Sequence, residues 1–372
     1  QTHLSVFLKA KALEEEGKKI IHLEVGEPDF KPPEEVKTAL AEVYDKGYGK
    51  YGPAKGITEL RMALAGRDGI KVSKENIMVC PGARFAVYLA ITTLLNPGDE
   101  IIVIEPAWPA YKDCALNAGI KVRTIKTTLE TKWEPSIEQI NNAINENTKM
   151  IILNYPNNPT GKILPVKLQD SIIQAAKDHD LYVLSDEIYE NYTMTRTEEE
   201  WTMAPRKSIL EYGYKKSILT QSFSKSYAMT GYRIGYVIAE PSIIDKMSKL
   251  QALSLTNVSE PIQYIALQTL YADILENAEI IETRLEALVK IAKDIGLEFI
   301  EPEGAMYLFA KTKYKNFDAT KFSEKLLERG VAIAPGEGFG DYKEFFRITA
   351  IDETKLKEGM IILDTVLKES YE

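Results

Sequence analysis

"SFSKSYAMTGYRIGY", residues 222–236, places one lysine, Lys225, between serines in a loop of small residues. Apolar runs typical of buried strands, residues 217–221 and 234–238, lie on either side of it. Only about a dozen residues join the two runs, which is marginal for the crossover helix that a parallel pair needs. We therefore expect residues 234–238 to pair antiparallel, and Lys225 to lie in the loop between two strands.

Similar apolar runs precede this loop, each bounded by Gly, Pro, Asn or Asp. They are residues 77–80, 101–104, 122–125, 150–153 and 181–184. Amphipathic stretches long enough for crossover helices, such as residues 84–95 and 167–178, separate several of them. Strands that alternate with helices in this way predict an α/β fold with a mainly parallel sheet.

Residues after Glu260 follow a different pattern. One helical face is apolar and leads to Gly296, which is typical of a helix C-terminus; its members are Ile281, Leu285, Leu288, Ala292 and Ile295. Strand-like runs follow on both sides of a helix-like stretch, residues 319–329. We expect a second, smaller α+β domain here, on which an N-terminal helix at residues 4–17 packs. The predicted division is a large domain of residues 40–275 and a small domain of residues 1–39 and 276–372.

Composition and charge argue against several classes of protein. The 372 residues carry a net charge of −9, which disfavours a surface for nucleic acid or anionic membranes. No apolar run approaches the ~18 residues of a transmembrane helix, and the first residues lack the order of a secretion signal. The two isolated cysteines, Cys80 and Cys114, are expected to be reduced and buried in a cytoplasmic protein. The three histidines have no metal-ligand spacing, so we expect no metal site.

Polar groups follow the predicted strands at their carboxyl ends, where open α/β sheets bind ligands. Asp186 comes just after residues 181–184, with Tyr189 three residues on, and Asn158 lies in the turn-rich loop after residues 150–153. In "CPGARF" a strand passes through Pro-Gly into a helix, whose N-terminal amides suit an anion. The groups that fit a phosphate are the amides of Gly82, Ala83 and Arg84 and the side chains of Ser222, Ser224 and Arg233.

These groups match the chemistry of pyridoxal phosphate. Its aldehyde needs a lysine amine, and its pyridinium nitrogen needs a carboxylate to stay protonated. Its phenolic oxygen needs an amide and a phenol as donors. Lys225, Asp186, Asn158 and Tyr189 supply these four groups. The sequence therefore predicts a site for this cofactor.

The sequence resembles the class I and II pyridoxal-phosphate aminotransferases, the fold-type-I superfamily of aspartate aminotransferase, over essentially the whole chain. The motifs that carry the resemblance are LEVGEPDF, YGPAKGITELR, IEPAWPAY, NYPNNPTG, SDEIYE, SFSKSYAMTGYRIGY and FFRIT. The family's fold implies a large domain with a mainly parallel seven-stranded sheet flanked by helices, and a smaller α+β domain. It also implies a homodimer with shared active sites.

The resemblance assigns roles at the cofactor. Lys225 matches the lysine that forms the Schiff base and moves the proton between Cα and C4′. Asp186 matches the partner of the pyridinium nitrogen, and Tyr189 and Asn158 match the donors to the phenolic oxygen. Trp108 matches the aromatic residue that stacks on the cofactor ring.

Other matched positions concern the substrate, the phosphate and a second subunit. Arg347 resembles the arginine that grips the substrate α-carboxylate bidentately, and the Gly26 backbone amide adds to that site. The substrate-binding residues are then Gly26, Trp108, Asn158 and Arg347. Tyr51 resembles the tyrosine that reaches the phosphate of the neighbouring subunit. The protein groups named above as fitting a phosphate match those that bind the cofactor phosphate in the family. Ala83 differs, because it lacks a hydroxyl that many relatives have there.

The resemblance implies an aminotransferase with a ping-pong mechanism, in which an amino acid aminates the cofactor and a 2-oxo acid then resets it. We expect aspartate and 2-oxoglutarate as the pair, with aromatic amino acids and alanine as competing substrates. A carbon–sulfur β-lyase shares most of these motifs but needs no 2-oxo acid acceptor. A pyridoxal-binding regulator is the alternative from another class, although the chain has no basic helix-turn-helix segment.

Several of these residues also have structural alternatives. Asp186 can cap a helix, Asn158 can close an Asn-Pro turn, and Tyr51 can simply pack. Trp108 can belong to the core, because tryptophan buries a large area. Arg347 can form a structural ion pair, although an arginine within an apolar strand needs some anionic partner.

Overall fold

The structure is a computed structural model that describes residues 3–67, 71–196, 201–203 and 206–371. The α-helices are α1 (His3–Glu15), α2 (Glu34–Asp45), α3 (Thr58–Ala65), α4 (Ala83–Leu94), α5 (Ala110–Asn117), α6 (Ile137–Ala143), α7 (Val166–Asp178), α8 (Pro241–Leu255), α9 (Glu260–Thr269), α10 (Leu275–Asp294), α11 (Ala319–Glu328) and α12 (Glu353–Tyr371). The strands are β1 (Ile21–His22), β2 (Ile77–Cys80), β3 (Glu100–Glu105), β4 (Lys121–Lys126), β5 (Thr148–Leu153), β6 (Tyr182–Asp186), β7 (Met194–Arg196), β8 (Trp201–Met203), β9 (Ser217–Ser222), β10 (Gly235–Ala239), β11 (Glu298–Phe299), β12 (Tyr307–Lys311), β13 (Val331–Ala332), β14 (Ala334–Pro335) and β15 (Phe345–Thr349).

The central sheet has seven strands in the order β2-β10-β9-β6-β5-β3-β4. Neighbouring strands are parallel except at β10, which runs antiparallel to both β9 and β2. The short connection explains this direction, because only a loop with one 3₁₀ turn, Thr230–Tyr232, joins β9 to β10. The predicted α/β sheet and its antiparallel last strand are therefore confirmed.

Helices cover both faces of this sheet, because successive side chains of a strand point to opposite faces. In β2, Ile77 and Val79 pack in the core formed with α2, α3, α7 and α9, whereas Met78 and Cys80 pack in the core formed with α4, α5 and α8. All side chains of β2 are buried. Strands buried on both faces are continuously apolar, which is why these short runs are visible in the sequence.

A separate core lies between a four-stranded antiparallel sheet, in the order β11-β12-β15-β14, and helices α10, α11 and α12. Leu285 and Leu288 of α10 pack into it, and Gly296 follows the end of that helix at φ 77°. Helix α1 packs beside this unit through Val6 and Ala10. The predicted α+β unit is present, while the domain boundaries at residues 40 and 275 stay a prediction.

The two cysteines are both unpaired. The prediction of burial is confirmed for Cys80 and wrong for Cys114, which is half-buried because it lines a surface groove between α4 and α5. Within the described part of the chain, no helix has both the length and the apolar character to cross a membrane. The same residues contain no cluster of three acidic, histidine or cysteine side chains that could hold a metal ion.

Candidate active site

A cavity of about 310 Å³ opens at the carboxyl ends of the central strands. Residues after β1, β2, β3, β5, β6 and β9 reach it, together with residues of β12 and β15. The predicted site residues that line it are Gly26, Ala83, Arg84, Trp108, Asn158, Asp186, Tyr189, Ser224, Lys225, Arg233 and Arg347. Residues far apart in the chain thus meet where open α/β sheets bind ligands.

Lys225 is the one lysine among the described residues that line the cavity. Its Nζ donates a hydrogen bond to the Gly26 carbonyl oxygen. Side chains from outside the loop hold its backbone: Tyr192 donates to the Lys225 carbonyl oxygen at 2.7 Å. Asn277 Nδ2 likewise donates to the Ser226 carbonyl oxygen at 2.9 Å. These hydrogen bonds to the backbone hold the loop in place, so the lysine amine is not needed for that purpose and is available for chemistry.

Asp186 ends β6 as a buried carboxylate, with 3% of its surface exposed. Its Oδ2 accepts a hydrogen bond from the Tyr111 hydroxyl at 2.7 Å, while Oδ1 is buried without a partner among the described residues. Burial raises the pKa of Asp186 to about 6, against the opposing effect of the Tyr111 hydrogen bond. A buried carboxylate with one unsatisfied oxygen suits a cationic nitrogen in the cavity.

Two asparagines in the loop after β5 connect Asp186 to Arg347. Asn154 Nδ2 donates to the Asp186 carbonyl oxygen at 2.9 Å, and Asn154 Oδ1 accepts from the Asn158 amide at 3.0 Å. Asn158 Oδ1 then accepts from Arg347 Nη1 at 2.7 Å. The Asn158 side-chain nitrogen has no hydrogen bond to any described residue, so it remains available as a donor in the cavity.

Arg347 lies in β15 with 2% of its surface exposed. Besides Asn158 it donates through Nη2 to the Glu24 carbonyl oxygen, and its Nε is buried without a partner. The guanidinium carbon lies 4.3 Å from the ring centre of Tyr307 and 5.1 Å from that of Phe339. No carboxylate of the described residues pairs with it. A buried guanidinium held only by neutral groups is poised for an anionic ligand.

Tyr189 follows β6 and is 4% exposed. Its hydroxyl lies 2.6 Å from the Tyr307 hydroxyl, and its ring centre lies 5.9 Å from Lys225 Nζ. Burial raises the pKa of Tyr189 well above its ordinary value, so its hydroxyl keeps its proton. It can therefore act as a hydrogen-bond donor at neutral pH.

The N-terminus of α4 borders the cavity together with two arginines, Arg84 and Arg233. Gly82 precedes the helix at φ 89°, a left-handed conformation that favours glycine, and a Cβ there would lie 2.7 Å from Arg233 Nη2. Arg233 Nη1 donates to the Thr230 carbonyl oxygen at 2.7 Å. The Arg84 guanidinium lies 4.6 Å from the Trp108 ring centre, and burial lowers its pKa. Neither arginine pairs with a carboxylate among the described residues, so both charges can face a phosphate.

Three predicted residues do not line the cavity: Gly82, Ser222 and Tyr51. The Ser222 hydroxyl donates to the Ile234 carbonyl oxygen at 2.9 Å and accepts from the Ser224 amide at 3.0 Å, so it braces the loop behind the cavity. Tyr51 is 90% exposed on the surface of its own chain. Their roles at the phosphate stay predictions.

Comparison with known proteins decides the family. The profile of the family described as aminotransferase class I and II matches residues 18–361. The chain belongs to the class I and II aminotransferases. The aspartate aminotransferase of Thermotoga maritima is 36% identical to it over 338 residues, which cover 89% of this aminotransferase and 87% of that protein.

Two further relatives support the assignment. The aromatic-amino-acid aminotransferase 2 of Thermococcus litoralis is 33% identical over 94% of this aminotransferase and 92% of that protein. The solved structure of the Thermus thermophilus aspartate aminotransferase with maleate has a TM-score of 0.92 at 31% identity, covering 99% of this chain and 97% of that one. The protein is therefore a transaminase with the predicted fold type I, and its family generally uses pyridoxal phosphate.

Eight of the residues that line the cavity of this aminotransferase were not predicted, and three of them contact predicted residues through hydrogen bonds or a ring: Tyr111, Asn154 and Tyr307. A local signal existed for Tyr111, which stands three residues after Trp108 in IEPAWPAY, and for Asn154, which opens the NYPNNPTG loop. Tyr307 had no local signal. Its position depends on β12 pairing with β15 beside Arg347, which is a tertiary contact.

Proposed function

We propose that this aminotransferase uses pyridoxal phosphate to transfer the amino group of aspartate to 2-oxoglutarate. The observation that carries the proposal is the meeting of Lys225, Asp186 and Arg347 in one cavity. Asp186 brings a buried oxygen without a partner, and Arg347 brings a buried guanidinium without an acidic partner among the described residues. Each group lacks the opposite charge that a bound cofactor or substrate provides.

The residues present fit pyridoxal phosphate. Lys225 offers the amine for its aldehyde and Asp186 the carboxylate for its ring nitrogen, while Tyr189 and Asn158 offer donors for its phenolic oxygen. The groups available to its phosphate and ring are Ala83, Arg84, Ser224, Arg233 and Trp108. When bound, the cofactor supplies an electron sink that stabilises negative charge at the substrate α-carbon.

The chain's own residues then have separate tasks. Arg347 binds the α-carboxylate, because its planar fork matches a carboxylate and is already oriented by Asn158 and the Glu24 carbonyl oxygen. Lys225 Nζ would accept the proton from the substrate α-carbon and deliver it to C4′ of the bound cofactor, as the resemblance implies. Asp186 stays ionised beside a cationic nitrogen, because an opposite charge lowers a pKa that burial alone raises.

The choice of aspartate rests on the relatives. Those from Thermotoga maritima and Thermus thermophilus are named aspartate aminotransferases. The Thermococcus litoralis relative keeps aromatic amino acids as the second candidate, and alanine is the third.

A substrate screen tests the proposal. The reconstituted enzyme is assayed with aspartate, phenylalanine, alanine and a cysteine conjugate, each with and without 2-oxoglutarate. We expect the highest kcat/KM for aspartate and no steady turnover without the acceptor. A preference for phenylalanine would change the substrate and keep the reaction. Release of pyruvate and ammonia from a cysteine conjugate without any acceptor would replace the transferase by a β-lyase.

Substitution of the lysine tests the mechanism. Lys225→Ala should lower kcat by about 10³-fold or more, because it removes the only lysine that lines the described cavity and its proton transfer. Lys215→Ala removes an exposed lysine outside the site and serves as the matched control. Equal turnover of the two variants would remove Lys225 from the reaction.

A homodimer and a cytoplasmic location are further parts of the proposal. Tyr51 is 90% exposed, which leaves it accessible to a second subunit. The two unpaired cysteines agree with a reducing compartment. Sedimentation of the purified protein tests the dimer. Mixing the Tyr51→Phe and Lys225→Ala variants then tests whether the subunits share sites. If Tyr51 reaches the neighbouring subunit, one of the two sites of a mixed dimer contains neither substitution, and the mixture should be more active than either variant alone.

A further inference from the structure

Tyr307 is a buried residue that lines the cavity. It is not among the residues predicted to contact the cofactor or the substrate. It begins β12, is 1% exposed, and touches both ends of the site. Its hydroxyl lies 2.6 Å from that of Tyr189, and its ring centre lies 4.3 Å from the Arg347 guanidinium carbon. One side chain thus connects the proposed cofactor donor with the proposed substrate anchor.

The direction of the hydrogen bond between Tyr307 and Tyr189 is fixed if Tyr189 donates its own proton to the cofactor. A phenol has one proton to donate. If Tyr189 donates that proton to the phenolic oxygen of the cofactor, the bond between the two tyrosines must run from Tyr307 to Tyr189. Hydrogen bonds in such a chain polarise one another, so Tyr307 strengthens the donation by Tyr189.

The contact with Arg347 is made by the ring face instead of the hydroxyl. A guanidinium over a tyrosine face is attracted by the ring quadrupole, and the attraction grows when both groups are desolvated. Arg347 is 2% exposed and has no acidic partner among the described residues, so this ring, together with two neutral hydrogen-bond acceptors and the Phe339 ring, stabilises its charge. Gly26 completes the arrangement, because a Cβ there would collide with the Tyr307 hydroxyl.

We propose that Tyr307 is a positioning residue that serves both ends of the site: its hydroxyl directs the Tyr189 proton toward the cofactor, and its ring fixes the Arg347 guanidinium for the substrate carboxylate. This inference rests on the proposed function. The hydroxyl and the ring of Tyr307 have different tasks, so one substitution that removes the hydroxyl and another that also removes the ring can test them separately.

Tyr307→Phe removes the hydroxyl and keeps the ring. A hydrogen-bond donor to the phenolic oxygen stabilises negative charge there and so lowers the pKa of the bound cofactor; weakening that donor raises this pKa. We therefore expect the pH midpoint of the cofactor's visible absorbance change, measured without substrate, to rise by about half a unit. The KM for aspartate should stay within about twofold of wild type, because the ring under Arg347 is retained.

Tyr307→Leu removes the ring as well. Loss of a desolvated cation–ring contact of about 1–2 kcal/mol should raise the KM for aspartate by about 5- to 30-fold over that of Tyr307→Phe. The matched control is Tyr342→Phe, which deletes a buried tyrosine hydroxyl that donates to the Thr127 carbonyl oxygen at 2.8 Å, outside the cavity. Circular dichroism spectra and thermal midpoints of all variants report folding.

The outcomes are distinct. A midpoint in Tyr307→Phe equal to that of Tyr342→Phe would refute the hydroxyl role. If Tyr307→Leu unfolds, the midpoint in Tyr307→Phe still decides that role. A folded Tyr307→Leu with the KM of Tyr307→Phe would refute the ring role. Failure of the proposed function itself would appear in the wild type, as absence of the visible cofactor band or of turnover with aspartate.

Discussion

Asp186→Asn should stabilise the cofactor-free protein while it disables the enzyme. The Asp186 carboxyl is fully buried, and burial raises its pKa from 3.8 to about 6. Above that pKa the folded state holds a desolvated negative charge, which costs about 3 kcal/mol for a shift of this size. Asparagine keeps the shape and the acceptor for the Tyr111 hydroxyl without that charge. We expect a gain in unfolding free energy of about 1–3 kcal/mol at neutral pH.

The raised pKa of Asp186 determines how the stability difference between the two proteins changes with pH. The folded state binds the Asp186 proton more tightly than the unfolded state, so the contribution of Asp186 to the stability of the wild type is most favourable below about pH 4 and is lost as the pH rises through about 6. The advantage of Asp186→Asn should therefore be near zero at about pH 4 and complete above about pH 7.

Urea unfolding of the cofactor-free proteins at both pH values measures this difference. Asp294→Asn, at the exposed end of α10, is the control for loss of a carboxylate outside the cavity. The second half of the prediction uses the reconstituted proteins: pyridoxal phosphate should stabilise the wild type at neutral pH and stabilise Asp186→Asn much less. An advantage of Asp186→Asn that is absent at neutral pH, or equal at both pH values, would refute the reasoning.

Two other substitutions test the neighbours of this carboxylate and the substrate anchor. Tyr111→Phe removes the hydrogen bond that lowers the pKa of Asp186, so cofactor affinity should fall by about tenfold; unchanged affinity in an equilibrium titration would contradict that role. Arg347→Lys keeps a charge but loses the planar fork held by Asn158, so the KM for aspartate should rise by about 100-fold while the visible band of the bound cofactor stays unchanged. A normal KM in steady-state kinetics would remove Arg347 from substrate binding.

Features that depend on local pattern can be predicted from the sequence alone. The strands of the central sheet are short apolar runs because they are buried on both faces, as in β2, and such runs need no partner to be recognised. The antiparallel direction of β10 followed from the length of the loop that carries Lys225. Strand-end polar residues such as Asp186 also followed, because chain order alone places the carboxyl ends of parallel strands at one edge.

The charge environment of these groups depends on tertiary contacts. Arg347 was expected to need an anionic partner, and packing surrounds it with Tyr307 and neutral oxygens, which leaves its charge for a ligand. The Asp186 pKa depends on burial and on Tyr111, 75 residues away in the chain. Contacts between such distant residues are set by how the two cores pack, and no local periodicity encodes that packing.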